Sequence, residues 1–258
     1  MEKVFIKNRK GQKIAVLIEQ AEAQRGLAFV MHGLGGFKTQ VHIQAIGEAF
    51  KEKGFTVVLF DTTNTYGESE GAYEDATTTN YYEDLEDVIE WAKTQDWYQR
   101  PFVISGHSLG GICSILYAER HPQDVLAIAP ISPVISGKLS LEAHERDDPE
   151  YVSRWKETGW KEEESHSIPG LIKRLKWSHV EDRLKYDVLP DAKKLTMPVL
   201  LIVGEFDVST PPDHVKMLYD VLPGQKKFHV IKGAPHNFKT PEELRELKET
   251  IARWTDSL

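Results

Sequence analysis

Three residue types, far apart in the chain, could together cleave an acyl compound: a serine in a glycine-bounded turn, a carboxylate after a strand, and a histidine in a late loop. The serine stands in VISGHSLGGICSILYAER, where Gly106-His107-Ser108-Leu109-Gly110 forms a Gly-x-Ser-x-Gly pattern between an apolar run and an amphipathic one. A strand entering and a helix leaving so sharp a turn would lift the hydroxyl clear of its surroundings. The helix N-terminus would lie beneath it, where amide dipoles favour a developing anion. Glycines two residues either side leave room for the turn to pack. A glycine-rich turn with a capping serine is the bland reading of the same residues, so the strand–helix context and the downstream partners carry the weight.

A serine hydroxyl is a weak nucleophile near neutral pH; a base must take its proton and an acid must orient that base. With such a turn the chain order is serine, acid, histidine. Asp207 follows the apolar run PVLLIVGEF, and Glu205, two residues earlier, is its rival. His236 lies in KGAPHNF, between the run KKFHVIKG and the last amphipathic stretch. Of the ten histidines it alone has this post-strand loop placement. His32 and His107 sit in glycine turns, His144, His166 and His179 in a charged middle region, and His42, His121, His214 and His229 in helices, strands or their ends. The predicted catalytic set is Ser108, Asp207 and His236.

Two amide donors would have to meet the carbonyl oxygen as it becomes negative. One is the N–H of Leu109, next to the nucleophile. The other comes from His32-Gly33-Leu34-Gly35-Gly36, with Leu34 the expected donor and Gly33 the alternative. Gly33 and His107, in the two glycine turns, are also candidate substrate-binding residues. The glycine loop lacks the Gly-Lys-Ser/Thr ending of a phosphate cradle, and no histidine–acid pair has metal-ligand spacing such as His-Glu-x-x-His. No metal is expected.

The elements that must position these groups show in the hydrophobic pattern. KVFIKN and KIAVLIE read as an opening hairpin. LAFVMHG, TVVLFD, PFVISGH, VLAIAP, PVLLIVGEFD and KFHVIKG are compact runs of the kind found in strands covered on both faces. Between them, VHIQAIGEAFKEKG carries Val41, Ile43, Ile46 and Phe50 near one face and stops at Gly54. TNYYEDLEDVIEWAK repeats Tyr81, Leu85, Val88, Ile89 and Ala92 at helical spacing. The last stretch starts with Thr240 as N-cap and Pro241 in the first turn. Strands and helices in alternation predict an α/β fold: a mostly parallel sheet flanked by helices. From Val134 to Pro190 the alternation stops. This stretch has no convincing strand, many charges and three tryptophans, Trp155, Trp160 and Trp177. A mainly helical cap over 134–190, inserted into a core of 1–133 and 191–258, is expected, because structureless loops of that length are rare inside compact domains. The tryptophans would either line an apolar or aromatic acyl pocket as substrate-binding residues or hold the cap against the core.

The 258 residues are 40% apolar and 28% charged, enough for a sizeable core without staples. With a net charge of -8 and no basic run, nucleic acid and anionic membrane surfaces are poor partners. Cys113 is the only cysteine, so no intramolecular disulfide exists, and its apolar setting predicts a buried small side chain. The N-terminus has no apolar signal core and no run is long enough to span a bilayer, so a cytoplasmic location is expected. A monomer or homodimer is expected, the exposed side of the cap being the face a second copy could use.

HGLGG, GHSLGG, GEFD and APHNF, in this order and approximate spacing over nearly the whole chain, resemble the α/β-hydrolase superfamily. Within it the similarity is to small cytosolic carboxylesterases, acylglycerol lipase-like enzymes and cinnamoyl or feruloyl esterases. The resemblance implies an eight-stranded sheet, a cap inserted where Val134–Pro190 lies, and a Ser-Asp-His acyl hydrolase that uses no cofactor. The implied activity is cleavage of small-molecule carboxylic esters with apolar or aromatic acyl groups. Peptidase or amidase, thioesterase and carbon–carbon bond hydrolase chemistry would use the same triad, and a non-catalytic small-molecule-binding protein could keep the same fold. One stretch departs from the pattern: DTTNTYGESEG has Tyr66 where many relatives have histidine, with one residue extra.

Overall fold

A computed structural model describes residues 1–164 and 170–258. Its main sheet has eight strands, β1 (Glu2–Lys7), β2 (Lys13–Glu19), β3 (Gly26–Met31), β4 (Phe55–Phe60), β5 (Phe102–His107), β6 (Val125–Ile131), β9 (Val199–Gly204) and β10 (Lys226–Ile231). They lie in the order β1-β2-β4-β3-β5-β6-β9-β10. β1 and β2 form the expected hairpin, β2 runs antiparallel to β4, and the remaining neighbours are parallel.

Both faces are covered, which is why the strands read as nearly unbroken apolar runs. Along β3, Leu27, Phe29 and Met31 join one hydrophobic cluster while Ala28 and Val30 join the other, the two-residue period of a strand. The first cluster is closed by α2 (Thr78–Ala92), α3 (Leu109–Arg120) and α7 (Pro212–Val221), the second by α1 (Val41–Lys51) and α8 (Pro241–Thr255). The predicted helical faces match: Tyr81, Leu85, Val88, Ile89 and Ala92 of α2 are all buried. In α1, Ile43, Ile46 and Phe50 are buried, but Val41, in the first turn, is exposed. Thr240 caps α8 in a full capping box with Glu243. Cys113 is buried within the first cluster, and burial pushes its thiol well above the usual range. Among the described residues no helix is long and apolar enough to cross a membrane.

Between β6 and β9 the chain forms α4 (Gly137–Asp147), α5 (Pro149–Thr158), β7 (Trp160–Glu164), β8 (Ile172–Lys176) and α6 (Ser178–Arg183). The antiparallel pair β7–β8 corrects the expectation that this stretch holds no strand. Its sequences, WKEEE and IKRLK, carry no hydrophobic alternation; opposite charges face each other across the pair instead. Glu162 sits opposite Arg174, with a carboxylate oxygen 2.8 Å from its Nε, and Glu163 opposite Lys173. His166 lies outside the described residues.

The three tryptophans pack this segment together. Trp155 is buried, its indole N–H donates to the Leu175 carbonyl at 3.1 Å, and Trp177 meets it edge-on at 5.5 Å. Trp160 lies under the Arg174 guanidinium, 4.4 Å from its ring centre.

Candidate active site

β5 delivers the chain into α3 through Ser108, whose φ of 54° and ψ of -112° are strained for a residue with a side chain. The Ser108 amide donates to the Ile131 carbonyl at 2.9 Å, and its own carbonyl accepts from Gly111 and Val134 at 2.9 and 3.2 Å. These bonds over-determine the turn. The two pattern glycines are required by contact: a Cβ on Gly106 would stand 2.3 Å from the Gly110 carbonyl oxygen, and one on Gly110 would stand 2.6 Å from that of His32. Gly106→Ala is therefore expected to destabilise the fold by about 3 kcal/mol, at the upper end of overpacking penalties. A fall in the urea midpoint at unchanged slope checks it.

Ser108 and His236 line one cleft of about 280 Å³, together with Gly33, Leu34, Leu109 and His107. His236 Nδ1 is 2.8 Å from Asp207 Oδ2, and Asp207 is buried. Asp207 Oδ1 accepts from the amides of Ser209 and Thr210 at 3.0 and 2.8 Å, and the Thr210 hydroxyl lies 2.8 Å from Oδ2. Burial alone would raise the Asp207 carboxyl, but its bonds and charge interaction with His236 and its bonds from Thr210 outweigh that and hold it below the usual range. Glu205 turns away, accepting from the Gly233 amide at 2.8 Å, so the acid touching the histidine is Asp207. Among the described residues no hydrogen bond joins the Ser108 hydroxyl to the His236 ring. Such bonds are often long before a substrate is in place.

The histidine is held from behind. His107 is buried and its Nε2–H donates to the His236 carbonyl at 2.9 Å, with ring centres 4.7 Å apart. Burial, with the neighbouring His42 and His236, keeps His107 neutral by moving it well below its ordinary value. That nitrogen is therefore committed to the backbone, and His107 borders the cleft as a positioning residue.

The amides of Leu34 and Leu109 meet no protein acceptor among the described residues, and neither does that of Gly33. The loop carrying Leu34 is fastened from several sides. His32 Nε2 accepts from the Thr62 amide at 3.1 Å, which leaves Nδ1–H to donate to the Gly33 carbonyl at 2.7 Å. Tyr81 Oη accepts from the Gly35 amide at 3.1 Å. Lys38 is buried between Asp61 and Glu68, at 2.6 Å from each. None of Lys38, Asp61 or Thr210 stood out in the sequence, and Tyr81 did so only as part of a helix face. Only Thr210 had a local signal, its three-residue spacing from a turn aspartate.

The tryptophans are not in this cleft, which corrects their expected role as substrate-binding residues: Trp155 and Trp160 border a separate depression, and Trp177 packs on Trp155. Their rings are engaged in holding the inserted segment. That segment faces Ser108 instead with Val134, His144, Lys173, His179 and Arg183. The wall is polar where an apolar or aromatic one was expected. Among the described residues no cluster of side chains could hold a metal ion.

A family model described as serine aminopeptidase, S33, matches residues 22–242. An uncharacterized 31.7 kDa protein of Escherichia coli, from the traX-finO intergenic region, is 24% identical over 256 residues, covering 88% of each chain. Among solved structures, Est1E of Butyrivibrio proteoclasticus with bound ferulic acid superposes with a TM-score of 0.81 at 22% identity, covering 98% of each chain. Mouse alpha/beta hydrolase domain-containing protein 10 gives 0.80 at 20% identity, covering 100% of this chain and 99% of its own.

Proposed function

Because this chain belongs to that serine aminopeptidase (S33) family of α/β hydrolases, we propose that it cleaves small carboxylic esters through an acyl-enzyme on Ser108. The observation that carries the reading is the strained Ser108 turn sharing a cleft with His236, whose other ring nitrogen meets a buried carboxylate. As Ser108 Oγ bonds to the ester carbonyl carbon, its proton passes to His236 Nε2. Asp207 keeps the other proton on Nδ1 and offsets the imidazolium charge. The carbonyl electrons move onto oxygen, where the amides of Leu109 and Leu34 receive them. Collapse breaks the bond to the leaving alcohol, which takes the proton from Nε2; water then repeats both steps and frees the acid. The segment 134–190 serves as the cap over this cleft.

Ester cleavage is favoured over aminopeptidase action by the charge on the walls. A substrate α-ammonium needs a free carboxylate, whereas Glu163, the carboxylate bordering the cleft, is 2.7 Å from Lys161 and already paired. The relatives bearing esterase or hydrolase names support the same reading. A fluorophosphonate probe should label the wild type and leave Ser108→Ala unlabelled; equal labelling would refute the assignment. A panel of matched esters and amides decides the bond type. Turnover of amides alone would replace the esterase reading with an amidase, and no turnover of either would leave a binding protein.

A further inference from the structure

The molecule is acidic overall, yet among the described residues the cleft beside Ser108 is lined by Arg183, Lys161 and Lys173 against the single carboxylate of Glu163. Lys161 answers Glu163, and Lys173 stands over the Tyr66 ring at 5.7 Å. Arg183, the last residue of α6, has no hydrogen-bond or ion-pair partner among the described residues. It is only 5% exposed, and its Nε and Nη2 are buried without any hydrogen-bond partner. Burial brings its guanidinium down to about 10 and so leaves it charged at neutral pH.

Its histidine neighbours do not relieve it. His179 gives its Nδ1–H to the Ala76 carbonyl at 2.9 Å, and its Nε2 is likewise buried without a partner. His144 gives its Nδ1–H to the Ser140 carbonyl at 2.7 Å. Burial first, and then the Arg183 charge, lowers His144 to about 4 and His179 to about 3, so both stay neutral. A buried, charged, unsatisfied guanidinium is costly to a fold and is retained where something else completes it. Its flat fork of donors matches a carboxylate in two parallel bonds.

We propose that Arg183 is the anchor for a carboxylate carried by the substrate, so that the preferred ester is a half-ester whose acyl part ends in a second, free carboxylate. The neutral His179, with its unpartnered Nε2, borders the same anchor. The inference rests on the ester-hydrolase reading for the reaction, but the anion anchor itself is independent of it.

Two measurements test it. Matched nitrophenyl esters compare mono-nitrophenyl adipate with nitrophenyl hexanoate, and the suberate half-ester with the octanoate. Wild type should favour the carboxylate member in kcat/KM, and Arg183→Met should reduce that preference ten- to hundredfold, the span set by a charge-assisted hydrogen-bonded pair. Arg183→Lys should retain part of it. An equal ratio in wild type and Arg183→Met, for both pairs, overturns the proposal. Separately, adipate should raise the melting temperature of Ser108→Ala and leave Ser108→Ala/Arg183→Met unmoved. Equal shifts in the two, or an Arg183-dependent shift with inorganic phosphate alone, overturn the carboxylate assignment. If no ester is cleaved while the adipate shift depends on Arg183, the anchor stands and the esterase reading falls. Removing an uncompensated buried charge should leave Arg183→Met at least as thermostable as wild type. A clear drop in its melting temperature, with the adipate response lost, would make Arg183 a structural residue instead.

Discussion

Replacing His236 with alanine is expected to lower ester turnover by about a millionfold, as loss of the base does in triads that act as a unit. The size follows from the absence of a substitute among the described residues. The nearest other imidazole, His107, is buried, is kept neutral, and has its Nε2–H bonded to the backbone of residue 236 itself. His32 is spent between Thr62 and Gly33. Ser108 would keep its strained turn, and the amides of Leu34 and Leu109 would stay free of protein acceptors among the described residues, so a residual rate above the uncatalysed reaction should persist. The measurement is steady-state hydrolysis of a short-chain nitrophenyl ester, alongside a urea titration to confirm that the variant folds. A loss under a hundredfold would place the base elsewhere.

Asp207→Asn is expected to cost about ten-thousandfold in kcat with the fold intact, the effect of locking the imidazole in the wrong tautomer. The neighbouring donors decide which way the amide would turn. Asp207 Oδ1 accepts two backbone N–H groups, from Ser209 and Thr210. An asparagine would keep its oxygen there and direct its NH₂ at His236 Nδ1. That ring nitrogen must then accept, its proton moves to Nε2, and the nitrogen proposed to receive the Ser108 proton is already occupied. Glu205 cannot stand in, because it is exposed and bonded to Gly233. Proton NMR of the downfield imidazole region, run beside the kinetics, would report the tautomer change. Near wild-type turnover would show that the carboxylate is not what orients the base.

Much of this site was legible because its signals are local. A turn that admits only glycine at 106 and 110, an apolar run ahead of it and an amphipathic stretch behind it are properties of adjacent residues. The order of serine, acid and histidine then needs only that parallel strands carry their functional loops at one edge. The hairpin, the strand runs and the helical face of residues 81–92 were readable for the same reason: an unbroken apolar run or a 3.6-residue period records what is buried, while Thr240 and Pro241 marked where the last helix starts.

What the sequence could not carry is how distant side chains answer one another. The pair β7–β8 sets Glu162 against Arg174 across the strands, and a charge pairing of that kind leaves no hydrophobic period to mark it. Trp155, Trp160 and Trp177 have the composition of an aromatic pocket, but their positions hold the inserted segment together. Asp207 and Glu205 are both acids after one strand, and only the direction of each side chain separates them.

The chain by itself determined the sheet, its flanking helices and the turn that presents Ser108, because these follow from backbone geometry and from burial repeating over a few residues. The tertiary structure alone decided which groups face the cleft, and above all that Arg183 stands there unanswered by any described residue. A charge reads the same in sequence whether or not a counter-charge reaches it. Its partner, or its lack of one, exists only once segments far apart in the chain have come together.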